Sequence, residues 1–167
     1  RLQLSGNNLT SLTSLPALPS LEVLDLRGNP ISDLTGLEAA PSLRELHVSG
    51  PFTSLRPLAK LQHLEVLTIA TSAALDLTPL AWLSQLRQLT LVCATAPVLT
   101  PLADLPALTQ FALEASDTPQ LAGLLGHPHL EVLRLSGLGN CHALEVAELP
   151  ALQVLLLEGL TLEAPAA

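Results

Sequence analysis

A motif of fixed spacing constrains the fold of this chain more than any other feature. The motif, L-x-x-L-x-L in its commonest form, begins seven times in the 167 residues, at intervals of 22, 21, 22, 22, 22 and 22. Its first leucines are Leu21, Leu43, Leu64, Leu86, Leu108, Leu130 and Leu152. A period of about 20 to 50 residues is typical of repeat architectures, in which stacked units share one core. The spacing therefore predicts a solenoid of about seven to eight coils.

Each repeat divides into a strand half and a turn half. Apolar residues two apart, such as Leu24 and Leu26, lie on one face of a strand. Leucines three apart, such as Leu99 and Leu102, suit a helical or 3₁₀ turn that returns the chain. Within such a turn, Thr78-Pro79 predicts a helix start with Thr78 as N-cap. Trp82 falls in the same turn, where we expect its ring to be partly buried.

The repeat resembles that of a known family. The segment LEVLDLRGNPISDLTGLEAAPS (residues 21–42) is similar to the 22-residue internalin-like subclass of leucine-rich repeat proteins, and DLTPLAWLSQL (residues 76–86) resembles its convex side. The resemblance covers essentially the whole chain. It implies an α/β solenoid with a parallel sheet on the concave side and short turns on the convex side. We expect residues 1–167 to form a single leucine-rich repeat domain within a longer chain that has flanking domains.

The family's asparagine, eight residues after the first leucine of a repeat, is mostly missing. In the family this side chain joins adjacent turns through backbone hydrogen bonds, and here it is present only as Asn7 and Asn29. We therefore expect looser turns toward the C-terminus. The equivalent residues of the other repeats are Pro51, Ser72, Ala94, Ser116, Leu138 and Leu160.

The resemblance also implies where a ligand binds. Residues two, four and six positions after the first leucine point out of the sheet onto the concave face, which in this family recognises proteins or peptides. The face has a polar cluster near its N-terminal end and aliphatic patches, one central and one terminal at Val132, Val154 and Leu156. The candidate binding residues are Asp25, Arg27, Glu45, His47, Val66, Thr68, Ala70, Gln88, Thr90, Val92 and Arg134.

Catalysis and cofactor binding find little support in the sequence. Asp25, His47 and Thr68 occupy one row of three strands and imitate an acid–histidine–nucleophile line, but nothing suggests an oxyanion hole. His127-Pro128-His129 lacks the further ligands of a metal site. No G-x-x-x-x-G-K-[ST] motif marks a nucleotide site. We therefore predict a binding protein without enzymatic activity, metal or cofactor.

Charge and hydropathy exclude two classes of partner. Residues 88–167 hold eight acidic residues and one basic residue, Arg134, whereas residues 1–87 are nearly balanced. Nucleic acid requires clustered lysine and arginine, which the chain lacks. A membrane span requires roughly 18 uninterrupted apolar residues, and polar residues or prolines interrupt this chain every few positions. Taken alone, the acidic excess fits surface solubility better than a site for a basic partner.

The two cysteines bear on the redox state of the protein's compartment. Cys93 and Cys141 fall two coils apart, and this axial separation of about 10 Å exceeds the roughly 7 Å Cα limit for a disulfide. Two unpaired thiols favour a reducing compartment, so we expect a cytoplasmic protein.

Three kinds of parent protein carry repeats that resemble these. Ala/Leu-rich, asparagine-poor repeats resemble the C-terminal sensor arrays of bacterial NACHT-type immune signalling ATPases. The internalin-like spacing equally suits a surface adhesin. LTSLPALPS (residues 12–20) is similar to bacterial ubiquitin ligases, whose repeats are shorter than 22 residues. The first two remain alternatives to a general protein-binding module.

Overall fold

The computed structural model describes residues 1–117, 120–137 and 149–159. In these residues eight short strands form one parallel sheet, and their order in the sheet is their order in the chain. The predicted α/β solenoid with one parallel sheet is confirmed. The strands are β1 (Leu2–Gln3), β2 (Val23–Leu26), β3 (Glu45–Ser49), β4 (Val66–Thr71), β5 (Gln88–Cys93), β6 (Gln110–Glu114), β7 (Val132–Ser136) and β8 (Val154–Glu158).

The register of the sheet follows the repeat. Leu24 pairs with Leu46, and Leu46 pairs with Leu67, so equivalent repeat positions lie side by side. The interval of 21 residues between Leu43 and Leu64 does not disturb this register, because β3 and β4 pair in step along their shared length. The missing residue is therefore absorbed in the connection after β3.

In five consecutive coils, from the one that begins at Leu21 to the one that begins at Leu108, the return half contains a short 3₁₀ helix. This confirms the predicted turns, but the predicted N-cap is wrong. Thr78 lies inside its helix, and Leu77 occupies the cap position without a side-chain hydrogen bond. The backbone N–H of Thr78 instead donates to the Asp76 carboxylate at 2.9 Å, which closes an Asx turn before the helix begins. In the described residues the 3₁₀ helices span Leu37–Ala39, Arg56–Lys60, Thr78–Trp82, Thr100–Asp104 and Leu121–Gly123.

Asp76 is one member of a series that precedes these turns. Asp33 occupies the same repeat position and accepts the N–H of Thr35 at 2.9 Å, and Ser11 makes the same contact with Thr13 at 3.3 Å. The series stops at Val98, which is an apolar residue and is 69% exposed. The turn chemistry of that coil therefore differs from that of its N-terminal neighbours.

One continuous leucine-rich core fills the solenoid. The side chains three and five positions after the first leucine are fully buried in β2 to β7, and Phe52 and Phe111 are the largest fully buried side chains. Each such leucine contributes about 1.5–3 kcal/mol when it leaves water. Trp82 lies outside this core. The residue is 67% exposed, so only a minor part of it is buried.

Asn29 joins adjacent coils as the resemblance implies. Its Nδ2 donates to the carbonyl of Leu4 in the preceding coil at 2.8 Å, and its Oδ1 accepts the N–H of Leu9 at 3.1 Å. Four coils later, Asp117 takes over the second role, because its carboxylate accepts the N–H of Ala96. An acid one position further along can thus replace the asparagine. Leu138 and Leu160 lie outside the described residues, and the looser turns expected there stay a prediction.

None of the helices within residues 1–117, 120–137 and 149–159 is long and apolar enough to cross a bilayer.

Candidate binding surface

The predicted binding residues share one face of the sheet. Cα pairing places Asp25, His47, Thr68 and Thr90 in a single row across β2 to β5. Their neighbours two positions away along each strand lie on the same face, which we call the concave face. Most of these side chains are half-buried, whereas Arg27, Gln88 and Arg134 are exposed. The strands therefore bring all eleven candidates onto one surface.

Asp25 is the exception on this face because its side chain is buried. Only 4% of the residue is exposed, since Arg27 covers it. The guanidinium donates from Nε and Nη2 to the two carboxylate oxygens at 3.0 and 2.6 Å, and the backbone N–H of Arg27 adds a third bond. The hydrogen bonds from Arg27 lower the pKa of Asp25 to about 2 and raise the pKa of Arg27. Arg27 thus compensates the negative charge of Asp25 within the protein.

The acid beside His47 differs from the sequence expectation. Nε2 of His47 lies 2.7 Å from Oε1 of Glu45, and Nδ1 lies 2.9 Å from the Thr68 hydroxyl. The imitation of a triad by Asp25, His47 and Thr68 is therefore corrected to Glu45, His47 and Thr68, because Arg27 holds Asp25. The strand amides around this line pair within the sheet and do not point toward a reacting carbonyl oxygen.

A depression of about 160 Å³ interrupts the C-terminal half of the concave face. It forms above β6 because Ala112 is small, whereas its row neighbours Thr90 and Arg134 carry larger side chains. Val92 and Leu156 contribute apolar lining. The remaining lining residues are Leu91, Leu113, Glu114, Leu135, Ser136 and Glu158.

Comparisons with known proteins agree with this geometry. A family profile described as Leucine Rich repeats (2 copies) matches residues 1–39. Among solved structures, internalin C2 from Listeria monocytogenes superposes with a TM-score of 0.75 and 27% sequence identity, over 92% of this chain and 69% of that one. The chain thus resembles leucine-rich repeat proteins of internalin-like type, as its repeat predicts.

Two further structures from Listeria monocytogenes show the same fold. An internalin, InlF, gives a TM-score of 0.73 at 24% identity, over 95% of this chain and 47% of that one. The functional domain of InlJ, which includes a cysteine ladder, gives 0.56 at 19% identity, over 92% and 40%. This leucine-rich repeat chain thus spans less than half the length of these two proteins. Comparison with curated protein sequences finds no match.

The depression has lining residues beyond the eleven predicted ones. Ala112, Glu114, Ser136 and Glu158 were absent from the predicted site. The sequence carries a signal for Ala112, because this small residue stands between larger ones in the row four positions after the first leucine. The depth of the resulting depression depends on side-chain packing, which the repeat pattern does not encode.

His127 is part of the scaffold of the repeat protein. The residue is 3% exposed, its Nε2 donates to the Leu105 carbonyl of the preceding coil at 3.0 Å, and its Nδ1 accepts the N–H of His129. Burial lowers the pKa of His127 because the charged ring loses its hydration. Among the described residues, no group of three or more His, Cys, Asp and Glu side chains is arranged to hold a metal ion.

Cys93 lies at the end of β5, and its thiol is buried and free. Burial raises the pKa of this thiol, which keeps it protonated and unreactive. Cys141 lies outside the described residues, so the separation predicted for the two cysteines stays a prediction.

Proposed function

We propose that the concave face binds a protein or peptide and that the domain, residues 1–167, has no catalytic role. The leucine-rich repeat fold is generally that of a protein-interaction scaffold, which supports the general class. The observation that carries the finer proposal is the depression above Ala112, because it is bordered by Thr90, Val92 and Arg134, three of the residues predicted to bind. Concave, partly apolar sites with a few polar groups are typical of ligand recognition.

The two halves of the concave face differ in their availability. In the N-terminal half, the polar side chains of Asp25, Glu45 and His47 are already hydrogen-bonded within the protein. A ligand there would have to compete with these bonds. In the C-terminal half, Val92 is half-exposed and Leu156 is 41% exposed, so apolar contact area remains free. This difference favours the C-terminal half as the centre of the interface.

A display selection tests the proposal. The complete chain would be immobilised, and binders would be selected from a library of random twelve-residue peptides. We expect Val92→Glu to reduce the affinity of most selected peptides at least about tenfold, since a charge would enter the apolar part of the site. Val98→Glu is the matched control, because Val98 is an exposed valine outside the sheet. Arg27→Glu tests whether the interface extends to the N-terminal half.

The outcomes separate the possible interfaces. Binding that depends on Val92 but not on Val98 supports the concave face. Binding that is lost with Val98→Glu and kept with Val92→Glu and Arg27→Glu would place the interface on the lateral or convex side, and would contradict the proposal.

We also propose a reducing, cytoplasmic location, supported by the free and buried thiol of Cys93. A surface adhesin is the second candidate, because the similar solved structures are internalins. The sensor role in a NACHT-type ATPase stays a prediction. Sequencing the parent gene discriminates them, since an upstream P-loop supports the sensor, whereas a secretory signal with a wall anchor supports the adhesin.

A further inference from the structure

We infer that the depression above Ala112 recognises an extended peptide segment with an aliphatic and a basic side chain two positions apart. This inference rests on the proposed function, because it assigns a ligand chemistry to the same face. It comes from the arrangement of apolar and acidic groups around β6 and β8.

The apolar part of the site has the size of one side chain. The small side chain of Ala112 leaves the floor of the depression open, and Val92 and Leu156 line it. A volume of about 160 Å³ accommodates a leucine or isoleucine side chain. Entry of such a group removes apolar surface from water on both partners. The depression therefore selects an aliphatic residue of the ligand.

The acidic part of the site lies beside it in the strand direction. Glu114 follows Ala112 by two positions on β6 and points to the same face, about 7 Å away. Glu158 lies in the same row two strands further, with Ser136 between them. Within the described ranges, neither carboxylate forms an ion pair. Both are thus available to a cationic ligand.

The spacing of these groups matches an extended peptide. In such a segment, residues two apart point to the same side and are separated by about 7 Å. A peptide that lies along β6 would place its aliphatic residue over Ala112 and its basic residue beside Glu114. The same geometry does not suit adjacent residues, because they point to opposite sides.

The two glutamates set the preference for a basic ligand rather than an acidic one, and Arg134 weakens this preference. It lines the depression from β7, in the row of Ala112 and Leu156, so the site holds two carboxylates and one guanidinium. The net charge is negative, and Arg134 competes with a basic ligand for the same carboxylates. Removal of Arg134 should therefore strengthen the binding of a basic peptide. A role for Arg134 as a direct anchor of an acidic ligand would give the opposite effect.

Titration with defined peptides tests the inference. The probe is acetyl-Gly-Leu-Gly-Arg-Gly-amide, and the matched peptides replace its leucine with serine or its arginine with glutamate. Dissociation constants would be measured by NMR on the ¹⁵N-labelled complete chain at low ionic strength, where charge effects are least screened. We expect the Leu/Arg peptide to bind at least about threefold more tightly than either matched peptide.

Variants of the protein complete the test. Glu114→Gln with Glu158→Gln should weaken the Leu/Arg peptide about three- to tenfold. The control pair Asp104→Asn with Glu131→Gln removes the same charge outside the depression and should change affinity less than twofold. Ala112→Leu should abolish binding because it fills the depression.

Each contrary result has a separate meaning. Equal affinities for the Leu/Arg and Leu/Glu peptides, or equal effects of the two double variants, would overturn the basic preference. Binding that survives Ala112→Leu would overturn the aliphatic site. In either case, peptides from the random library that depend on Val92 would still support concave-face recognition, so failure of the inference is distinguishable from failure of the proposed function.

Discussion

The guanidinium of Arg27 covers the carboxylate of Asp25 in a two-point contact, with donor–acceptor distances of 3.0 and 2.6 Å. This contact joins residues two apart at the end of β2, so it forms within one coil. The carboxylate is almost completely buried, whereas the side chain of Arg27 is 57% exposed. The ion pair with Arg27 explains how the sheet accommodates the buried carboxylate of Asp25.

The contact predicts acid sensitivity. The pKa of Asp25 is about 2 in the folded chain and about 4 in an unfolded one, so its contribution to stability is present above pH 4 and is lost as the pH falls toward 2. We expect about 1–2 kcal/mol, because water screens the exposed guanidinium. Urea unfolding of the wild type and Asp25→Asn between pH 7 and 2 measures it. A difference that does not change with pH would contradict the account, and Glu22→Gln serves as the exposed control.

His127 predicts a second pH dependence, in a higher range. Its pKa is lowered in the folded chain, so the neutral ring stabilises the fold fully above about pH 6.5, and this contribution decreases as the pH falls below that value. His127→Gln should reduce the loss of stability between pH 7.5 and 5.5, since glutamine does not titrate. Denaturant midpoints at both pH values measure the effect. Identical pH dependence in His127→Gln and the wild type would refute it, and the exposed His63 provides the control His63→Gln.

The sequence predicted the fold well and the details of the site poorly. The positions of Leu24, Leu46 and Leu67 follow from spacing, because burial of a periodic apolar side decides the register of the whole sheet. The acid that contacts His47 did not follow from spacing. Asp25 and Glu45 are both within reach of that part of the sheet, and the choice between them depends on Arg27, whose side-chain conformation no repeat pattern specifies.

The repeat pattern likewise does not reveal that Asp117 takes a role of the family's asparagine. Asp117 accepts the N–H of Ala96 in the preceding coil, just as Asn29 accepts the N–H of Leu9. Asp117 and Asn29 nevertheless stand at different positions of the repeat. A search for asparagine at one fixed position misses such a shift. Backbone groups require a hydrogen-bond partner, but the partner's position can change when the turn changes.

Asn29 provides a test of the joining of coils. Asn29→Ala should destabilise the fold by about 2–4 kcal/mol, because buried backbone groups of two coils lose their partners. Asn7→Ala is the matched control. Asn7 is exposed and bonds only within its own turn, to Leu4 and Ser5, so we expect a loss below about 1 kcal/mol. Urea unfolding of both variants decides, and equal losses would contradict the role of Asn29 between coils.

Gly36 tests how closely the turns of adjacent coils approach. Its φ is +109°, and a Cβ there would lie 2.3 Å from the Leu12 carbonyl oxygen. Gly36→Ala should therefore cost more than about 2 kcal/mol, since the backbone of two coils must move. Gly6→Ala is the control, because Gly6 has a φ of +69° and open space around it, and it should cost about 1 kcal/mol. Thermal unfolding compares them, and a smaller loss for Gly36→Ala would show that the coils are further apart.

Photo-crosslinking tests concave-face recognition most directly. A peptide selected on the complete chain would carry a diazirine in place of its central apolar residue, and mass spectrometry would locate the crosslinked residues. We expect crosslinks to the exposed side of β5 to β7, around Val92, Ala112 and Arg134. Crosslinks confined to the 3₁₀ helices Thr78–Trp82 and Thr100–Asp104 would contradict concave-face recognition.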